Sequence, residues 1–241
     1  MINIVIPMAG LGSRFSKSGY IKTKPFIDIL GKPMIARVLY NLKHPNARYI
    51  LIVREEHIYK EKLIIDSLIE TYGVVIVPVK NTTEGTACTV LHARKYINND
   101  SPLVIANSDQ IIDIDIVDFT RDCKNRGLDG SIITFKDPEM NPKWSYAKTD
   151  INGNVTLVKE KQPISENATV GIYLFSKGAD FVNSAIDMIA SNDRVNGEFY
   201  TAPAYNYLVD SKKIGIFNID MSEMHGIGTP DDLDKYISKI T

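Results

Sequence analysis

Short apolar runs alternate with amphipathic stretches through the first 135 residues. Residues 3–7, 49–53, 74–79, 103–107 and 131–135 are β-branched and almost continuously apolar, the pattern of strands buried on both faces. Between them the spacing becomes helical. Pro33 suits a first helical position, and Ile35, Leu39 and Leu42 then mark one face. Residues 57–72 carry Ile58, Leu63 or Ile65, Leu68 and Ile69 at similar intervals, and 86–97 and 116–124 complete the series. This alternation predicts an α/β fold: a Rossmann-like, mostly parallel sheet flanked by helices, with right-handed crossovers.

After residue 135 the texture changes. Residues 144–149, 155–160 and 169–175 read as strands without long helices between them. Asn152-Gly153 lies between the first two, a strong hairpin signal. An inserted small antiparallel sheet is therefore expected. Helices are expected again at 178–190 and 201–209, then a strand at 213–219 and a terminal helix opened by Pro230-Asp231-Asp232. No Gly/Ser-rich linker and no repeat interrupts this order, so one domain is expected over 1–241.

Composition narrows the partners. Hydrophobic residues at 44% and charged residues at 24% are globular averages. The 28 basic and 29 acidic side chains leave a net charge of -1, which gives no global attraction for nucleic acid or an anionic membrane. Cys88 and Cys123 have neither disulfide-framework nor metal spacing and read as free thiols of a reducing compartment. No apolar run reaches the roughly 20 residues of a membrane span, and no signal segment opens the chain. A cytoplasmic protein with no membrane or nucleic-acid partner is the expectation.

Candidate chemistry begins where the first strand ends. Pro7-Met8-Ala9-Gly10-Leu11-Gly12-Ser13-Arg14-Phe15 leaves the carboxyl end of that strand, where open α/β sheets bind ligands. Two glycines admit a ligand close to the backbone, whose N–H groups can face phosphate oxygens, and Arg14 adds a forked cation. Phe15 stands where a dinucleotide fingerprint needs glycine, and no Gly-Lys-Ser/Thr is present for a P-loop. Alone, the segment is equally a structural turn.

Lys22-Thr23-Lys24-Pro25-Phe26 follows, ahead of Gly31-Lys32-Pro33-Met34. Glycine loop, arginine and Lys-Pro in this order resemble the signature of sugar-1-phosphate nucleotidylyltransferases, with Thr23 in place of the usual first proline. Glu84-Gly85-Thr86-Ala87, Asn107-Ser108-Asp109, Glu160-Lys161-Gln162-Pro163, Ala168–Tyr173, Asn196–Thr201 and Gly228-Thr229-Pro230-Asp231-Asp232-Leu233 resemble further family segments in the family's order. The resemblance implies the nucleotide-diphospho-sugar transferase type of fold, with a nucleotide-binding half at about 1–135 and an acceptor-binding half at about 136–241. It makes Arg14 and Lys24 the catalytic cations. Met8, Ala9, Gly10, Gly12, Ser13, Arg14, Lys24, Gly85, Thr86 and Asn107 become nucleotide contacts, the glycine at 85 letting a base lie against backbone. Glu160, Lys161, Gly171 and Glu198 become acceptor contacts, and Asp109 the ligand of a divalent metal, Mg²⁺. Asp113 and Asp115 read instead as caps of the following helix.

Three departures mark this chain. Lys80 stands where the family has a base-reading Gln, and Met224 replaces a Trp. Gly226 replaces the Asp that would be a second metal ligand; Asp220 or His225 are its candidate substitutes. The runs Glu-Gly-Thr-Ala-Cys-Thr-Val, Asn-Ser-Asp-Gln and Met-His-Gly-Ile-Gly-Thr-Pro look most like capsule-cluster cytidylyltransferases, including those that join CTP and phosphoglutamine in capsular phosphoramidate synthesis. The expected reaction is thus transfer of CMP from CTP to a phosphorylated small molecule, with a sugar 1-phosphate and UTP, dTTP, GTP or CTP as the alternative. A glycosyltransferase would carry Asp-x-Asp where 107–109 read Asn-Ser-Asp. A non-catalytic regulatory homologue fits the missing Asp at 226 but not the retained Arg14, Lys24 and Asp109.

Overall fold

The computed structural model describes residues 1–241. Its elements, in chain order, are β1 (Ile2–Pro7), α1 (Ser13–Lys17), β2 (Asp28–Ile29), β3 (Lys32–Pro33), α2 (Met34–Asn41), β4 (Ala47–Arg54), α3 (Glu55–Lys60), α4 (Lys62–Tyr72), β5 (Val75–Val79), α5 (Thr86–Leu91) and α6 (Arg94–Ile97). There follow β6 (Leu103–Ala106), β7 (Gln110–Ile112), α7 (Ile116–Asn125), β8 (Gly130–Lys136), β9 (Tyr146–Thr149), β10 (Val155–Lys159), β11 (Asn167–Phe175), α8 (Gly178–Ala190), β12 (Ile214–Ile219), β13 (Met224–Gly226) and α9 (Pro230–Ile240).

The main sheet runs β10-β9-β11-β6-β1-β4-β5, with β8 also on β11 and β12 beyond β8. Strands β6, β1, β4 and β5 are parallel, as their apolar runs require. Strand β11 enters antiparallel against both β6 and β8. The expected α/β fold is present. The antiparallel excursion is hydrogen-bonded to the main sheet through β11, and two further antiparallel ribbons, β2–β3 and β13–β7, lie off it.

Alternation along each strand divides the core. Ile4, Ile6, Leu51 and Val53 face one layer, with Ile35, Val38, Leu39, Ile65, Leu68 and Phe119 from α2, α4 and α7. Val5, Ile50 and Ile52 face the other, with Val90, Phe181, Val182, Ala185 and Met188 from α5 and α8. Each large side chain buried this way contributes about 1.5–3 kcal/mol, so the strand ends that carry the site are held on a rigid base. No helix is long and apolar enough to cross a membrane.

Several boundaries differ from the pattern. The helix expected over 57–72 breaks at Glu61 (φ -111°), whose nearly buried carboxylate takes the Lys22 ammonium at 3.2 Å. The helix expected over 86–97 is two short ones. Residues 201–209 form a 3₁₀ segment, Ala202–Tyr207, with Pro203 in its first turn, where no ladder N–H is lost. Asn152-Gly153 does close the β9–β10 hairpin, yet only Gly153 has positive φ. The turn is a wider one, in which the Asp150 carboxylate accepts from the N–H groups of Asn152 and Asn154. Two-residue turns with positive φ at both centres are Leu30-Gly31 (49° and 80°), between β2 and β3, and Asn196-Gly197 (51° and 81°), closed by reciprocal hydrogen bonds between Val195 and Glu198.

Candidate active site

The carboxyl ends of β1 and β6 open on one edge, and the signature segments collect there. Met8 and Ala9 are buried beneath the loop, while Gly10, Ser13 and Arg14 are exposed. Arg14 makes no side-chain hydrogen bond or ion pair in the chain and is free to meet a ligand. Gly12 sits at φ 63°, and a Cβ there would lie 3.0 Å from the Cβ of Lys24. Glycine is needed because the loop and the lysine segment touch.

Lys24 opens the 3₁₀ turn Lys24–Phe26, whose Pro25 and Phe26 are buried and fix the root of the side chain. Its ammonium pairs with the Asp109 carboxylate, both side chains largely shielded. The Asp109 carbonyl accepts from the Ile227 N–H at 2.9 Å. A Cβ on Gly228 would come within 2.4 Å of the Asp109 Oδ2. Residues 85 and more positions apart thus converge: Lys24 of the glycine-loop side, Asp109 after β6, and the Ile227-Gly228 backbone.

Gly85 and Thr86 are spoken for differently. At φ 125°, Gly85 has no room for a side chain, since a Cβ would fall 2.3 Å from the Phe199 carbonyl oxygen. Thr201 donates to the Thr86 hydroxyl from both its N–H and its own hydroxyl, each at 3.1 Å. The glycine requirement here comes from chain crossing chain. A nucleobase is not needed to explain it. Asn107 likewise lies against Gly171: its N–H donates to the Gly171 carbonyl at 3.0 Å, and its side chain fills the space a Cβ at 171 would take. Gly171, at φ 90°, sits where the β11–β8 register shifts.

On the other side of the cleft, the Glu160 carboxylate accepts from the Ser145 hydroxyl, with Tyr173 and Thr169 buried behind it. Burial pushes the Glu160 carboxyl up, Ser145 and Lys161 oppose this, and the Glu198 carboxylate adds to it. Lys161 adopts a left-handed backbone (φ 54°), a conformation costing a non-glycine residue about 1–2 kcal/mol. That twist sends its ammonium to the Tyr200 hydroxyl at 2.7 Å. Burial, then Glu198, raises the Tyr200 phenol above its ordinary range, so it stays protonated. Glu160, Lys161 and Glu198 therefore share one neighbourhood with Ser145, Tyr173 and Tyr200. Ser145 lies in no motif, and Tyr173 and Tyr200 lie within segments that resemble the family without being among the expected contacts; the fold brings all three in.

The Glu160 shift has a checkable sign. A carboxyl whose folded pKa is raised favours the fold fully below its ordinary value of about 4.3 and loses that contribution as pH rises through the raised value. Glu160→Gln should therefore raise the thermal midpoint by about 2 °C at pH 8 and leave it unchanged near pH 4. Calorimetric scans at both pH values check this; an equal shift at both would refute the assignment.

Neither candidate replaces the missing acid at 226. Asp220 caps the turn at Met221–Glu223, accepting from the Ser222 N–H and hydroxyl. His225 Nε2 lies 2.8 Å from Asp113 Oδ2, with Lys239 3.2 Å from the same oxygen. Asp113 is therefore an ion-pair centre, while Asp115 is the helix cap, accepting from Val117. A Cβ at Gly226 would meet nothing within 4 Å. No group of three acidic, His or Cys side chains is gathered anywhere to hold a metal. Asp109 leaves a single carboxylate beside Lys24, and a single carboxylate is compatible with a Mg²⁺ site only where substrate phosphates would supply most of the oxygens.

The chain matches known proteins along most of its length. It is 24% identical to the bifunctional protein GlmU of Methanocaldococcus jannaschii across 98% of this chain and 54% of that protein. It spans about half the length of the first curated relatives it matches. The UTP--glucose-1-phosphate uridylyltransferase AglF of Haloferax volcanii is 24% identical, covering 96% of this chain and 93% of that protein. Among solved structures, the nucleoside-diphosphate-sugar pyrophosphorylase from Vibrio cholerae RC9 superposes with a TM-score of 0.82 at 26% identity, covering 98% and 99% of the two chains. Residues 4–223 match the family described as Nucleotidyl transferase, and the chain belongs to that family.

Proposed function

We propose that this protein transfers a nucleoside monophosphate from a nucleoside triphosphate to a sugar 1-phosphate and releases pyrophosphate. One observation carries the reading: Lys24 and Asp109 meet beside Gly12 and Gly228, next to a glycine loop with Gly10 and Ser13 exposed and Arg14 unpaired. The names of the relatives support a sugar-phosphate acceptor. A phosphate oxygen of the acceptor forms a bond to the α-phosphorus as the α–β bridging bond breaks and its electron pair leaves with pyrophosphate. The nucleophile is already an anion at neutral pH, so no general base is required. Lys24 and Arg14 offset the charge that grows on the α-phosphoryl and leaving oxygens. Mg²⁺, when bound, neutralises triphosphate oxygens, and Asp109 is the side chain that would hold it. Glu160, Lys161 and Glu198 orient the acceptor.

A second reading is cytidylyl transfer to a phosphorylated non-sugar acceptor such as phosphoglutamine. Lys80 in place of the base-reading Gln, together with the cytidylyltransferase-like runs, favours it. Pyrophosphate release with Mg²⁺, each of CTP, UTP, dTTP and GTP, and a panel of sugar 1-phosphates plus phosphoglutamine separates the two. Release with a sugar 1-phosphate is the expected result. Release only with CTP and phosphoglutamine selects the second reading, and no release with any pair sinks both.

A further inference from the structure

The two loops that face the cleft from opposite halves of the chain are bolted together, and one side chain holds the bolt. Arg194 uses its whole guanidinium. Nε donates to the Asn192 side chain at 2.6 Å, one terminal nitrogen donates to the Gly197 carbonyl at 3.1 Å, and the other pairs with Glu84 at 2.6 Å. Its plane lies 4.1 Å from the centre of the Phe199 ring. The Gly197 bond fixes the Asn196-Gly197 turn, which delivers Glu198. The Glu84 bond joins that turn to the loop at Gly85-Thr86.

Backbone seals the same joint. The Phe199 N–H donates to the Glu84 carbonyl at 2.7 Å, and the Ala87 N–H to the Phe199 carbonyl at 3.0 Å. Those two bonds bring Phe199 so close to Gly85 that no side chain fits between. Thr86 and Thr201 add a hydroxyl pair just beyond. Yet Arg194 is one-third exposed and Glu84 two-thirds, so the pair contributes little to overall stability. Four simultaneous engagements of a fork with limited freedom define a geometry more than they add energy.

We infer that Arg194 is a positioning residue that locks the Glu198 turn to the Glu84–Thr86 loop, so that nucleotide and acceptor meet one preassembled surface. This rests on the transferase reading above. Arg194 touches neither substrate in this scheme. Its loss should therefore spoil the binding of both together while sparing the chemical step.

The test uses the full chain with Arg194→Ala, Arg194→Lys, Glu84→Gln and the charge-exchanged pair Glu84→Arg with Arg194→Glu. CTP and UTP binding without acceptor is measured by calorimetry, and KM and kcat for whichever pair the wild type turns over. Arg194→Ala should weaken nucleotide binding and raise the acceptor KM by about 10-fold each, a coupling of ordinary size, with kcat changed less than threefold. Lysine should recover part of this, since it keeps the ion pair but not the fork. Glu84→Gln, at an exposed position that cannot endanger folding, should shift both constants in the same direction. The exchanged pair should restore at least half the loss. Amide exchange at Ala87 and Phe199 should quicken in Arg194→Ala. A lowered thermal midpoint with unchanged KM values and unchanged nucleotide affinity would overturn the inference, as would exchange at Ala87 and Phe199 equal to wild type. Wild-type protein that binds neither nucleotide and releases no pyrophosphate with any of CTP, UTP, dTTP and GTP would overturn the transferase reading instead, and the exchange rates alone would then decide the lock.

Discussion

Lys24→Ala should lower kcat by about 10²–10³-fold, the usual cost of deleting one preorganised charge at a phosphoryl transition state, while the protein stays folded. The side chain is suited to such a role by how it is held. Pro25 and Phe26 anchor its backbone in the core, and a side chain at position 12 would crowd its Cβ. The root of the side chain is thus placed before any substrate arrives, and only the ammonium, paired with Asp109, has to turn to a ligand. Stability should change little, because the ion pair it loses is partly solvated and Asp109 can be rehydrated. Lys24→Arg should fail as well: a planar guanidinium does not reproduce the compact point charge of the ammonium. Pyrophosphate release at saturating substrate, with circular dichroism as the folding control, makes the comparison. A kcat within fivefold of wild type would remove Lys24 from the mechanism.

Reading the chain for patterns reaches some of this and stops at identifiable places. Strands β1, β4 and β6 were legible because a strand buried on both faces must be continuously apolar. The glycine loop was legible because it follows directly from such a strand. Ribbon β13–β7 was not. Each strand has three residues, paired Met224 to Ile112, His225 to Ile111 and Gly226 to Gln110 across more than a hundred positions, with the hydrogen bond from Ile227 to Asp109 just beyond their end. Gly85 illustrates a different failure. Its need for glycine is visible in the sequence, but the cause, the backbone of Phe199, lies in a distant loop. Arg194 and Ser145 belong to no motif and acquire a role only from the partners that the fold supplies. Asn196-Gly197 carried its turn signal openly, since that pair tolerates positive φ at both centres.

Asp109→Asn should separate the metal from the lysine. In the free protein the Asp109 carboxylate is paired with Lys24, and the proposed function would give the same carboxylate to Mg²⁺. Metal and ammonium therefore compete for it, and a Mg-bound triphosphate must draw both into a new arrangement. The amide keeps the shape and removes the charge. Turnover at saturating Mg²⁺ should fall about 10²-fold, as for loss of an electrostatic group at the reacting phosphate. The Mg²⁺ concentration for half-maximal rate should rise about tenfold, the cost of one weakened ligand. Metal-free nucleotide should show the opposite sign. With Lys24 released from its partner, binding of the bare triphosphate in chelator should tighten, which calorimetry reads directly. A companion change sharpens the argument, because Gly226 has open space for a side chain and an ordinary backbone. Gly226→Asp should bring a second carboxylate to this edge and lower the Mg²⁺ requirement of the wild-type chain. A Mg²⁺ titration of Asp109→Asn that overlays the wild-type curve would refute the assignment of Asp109, because a lone metal carboxylate cannot be lost without moving the metal dependence.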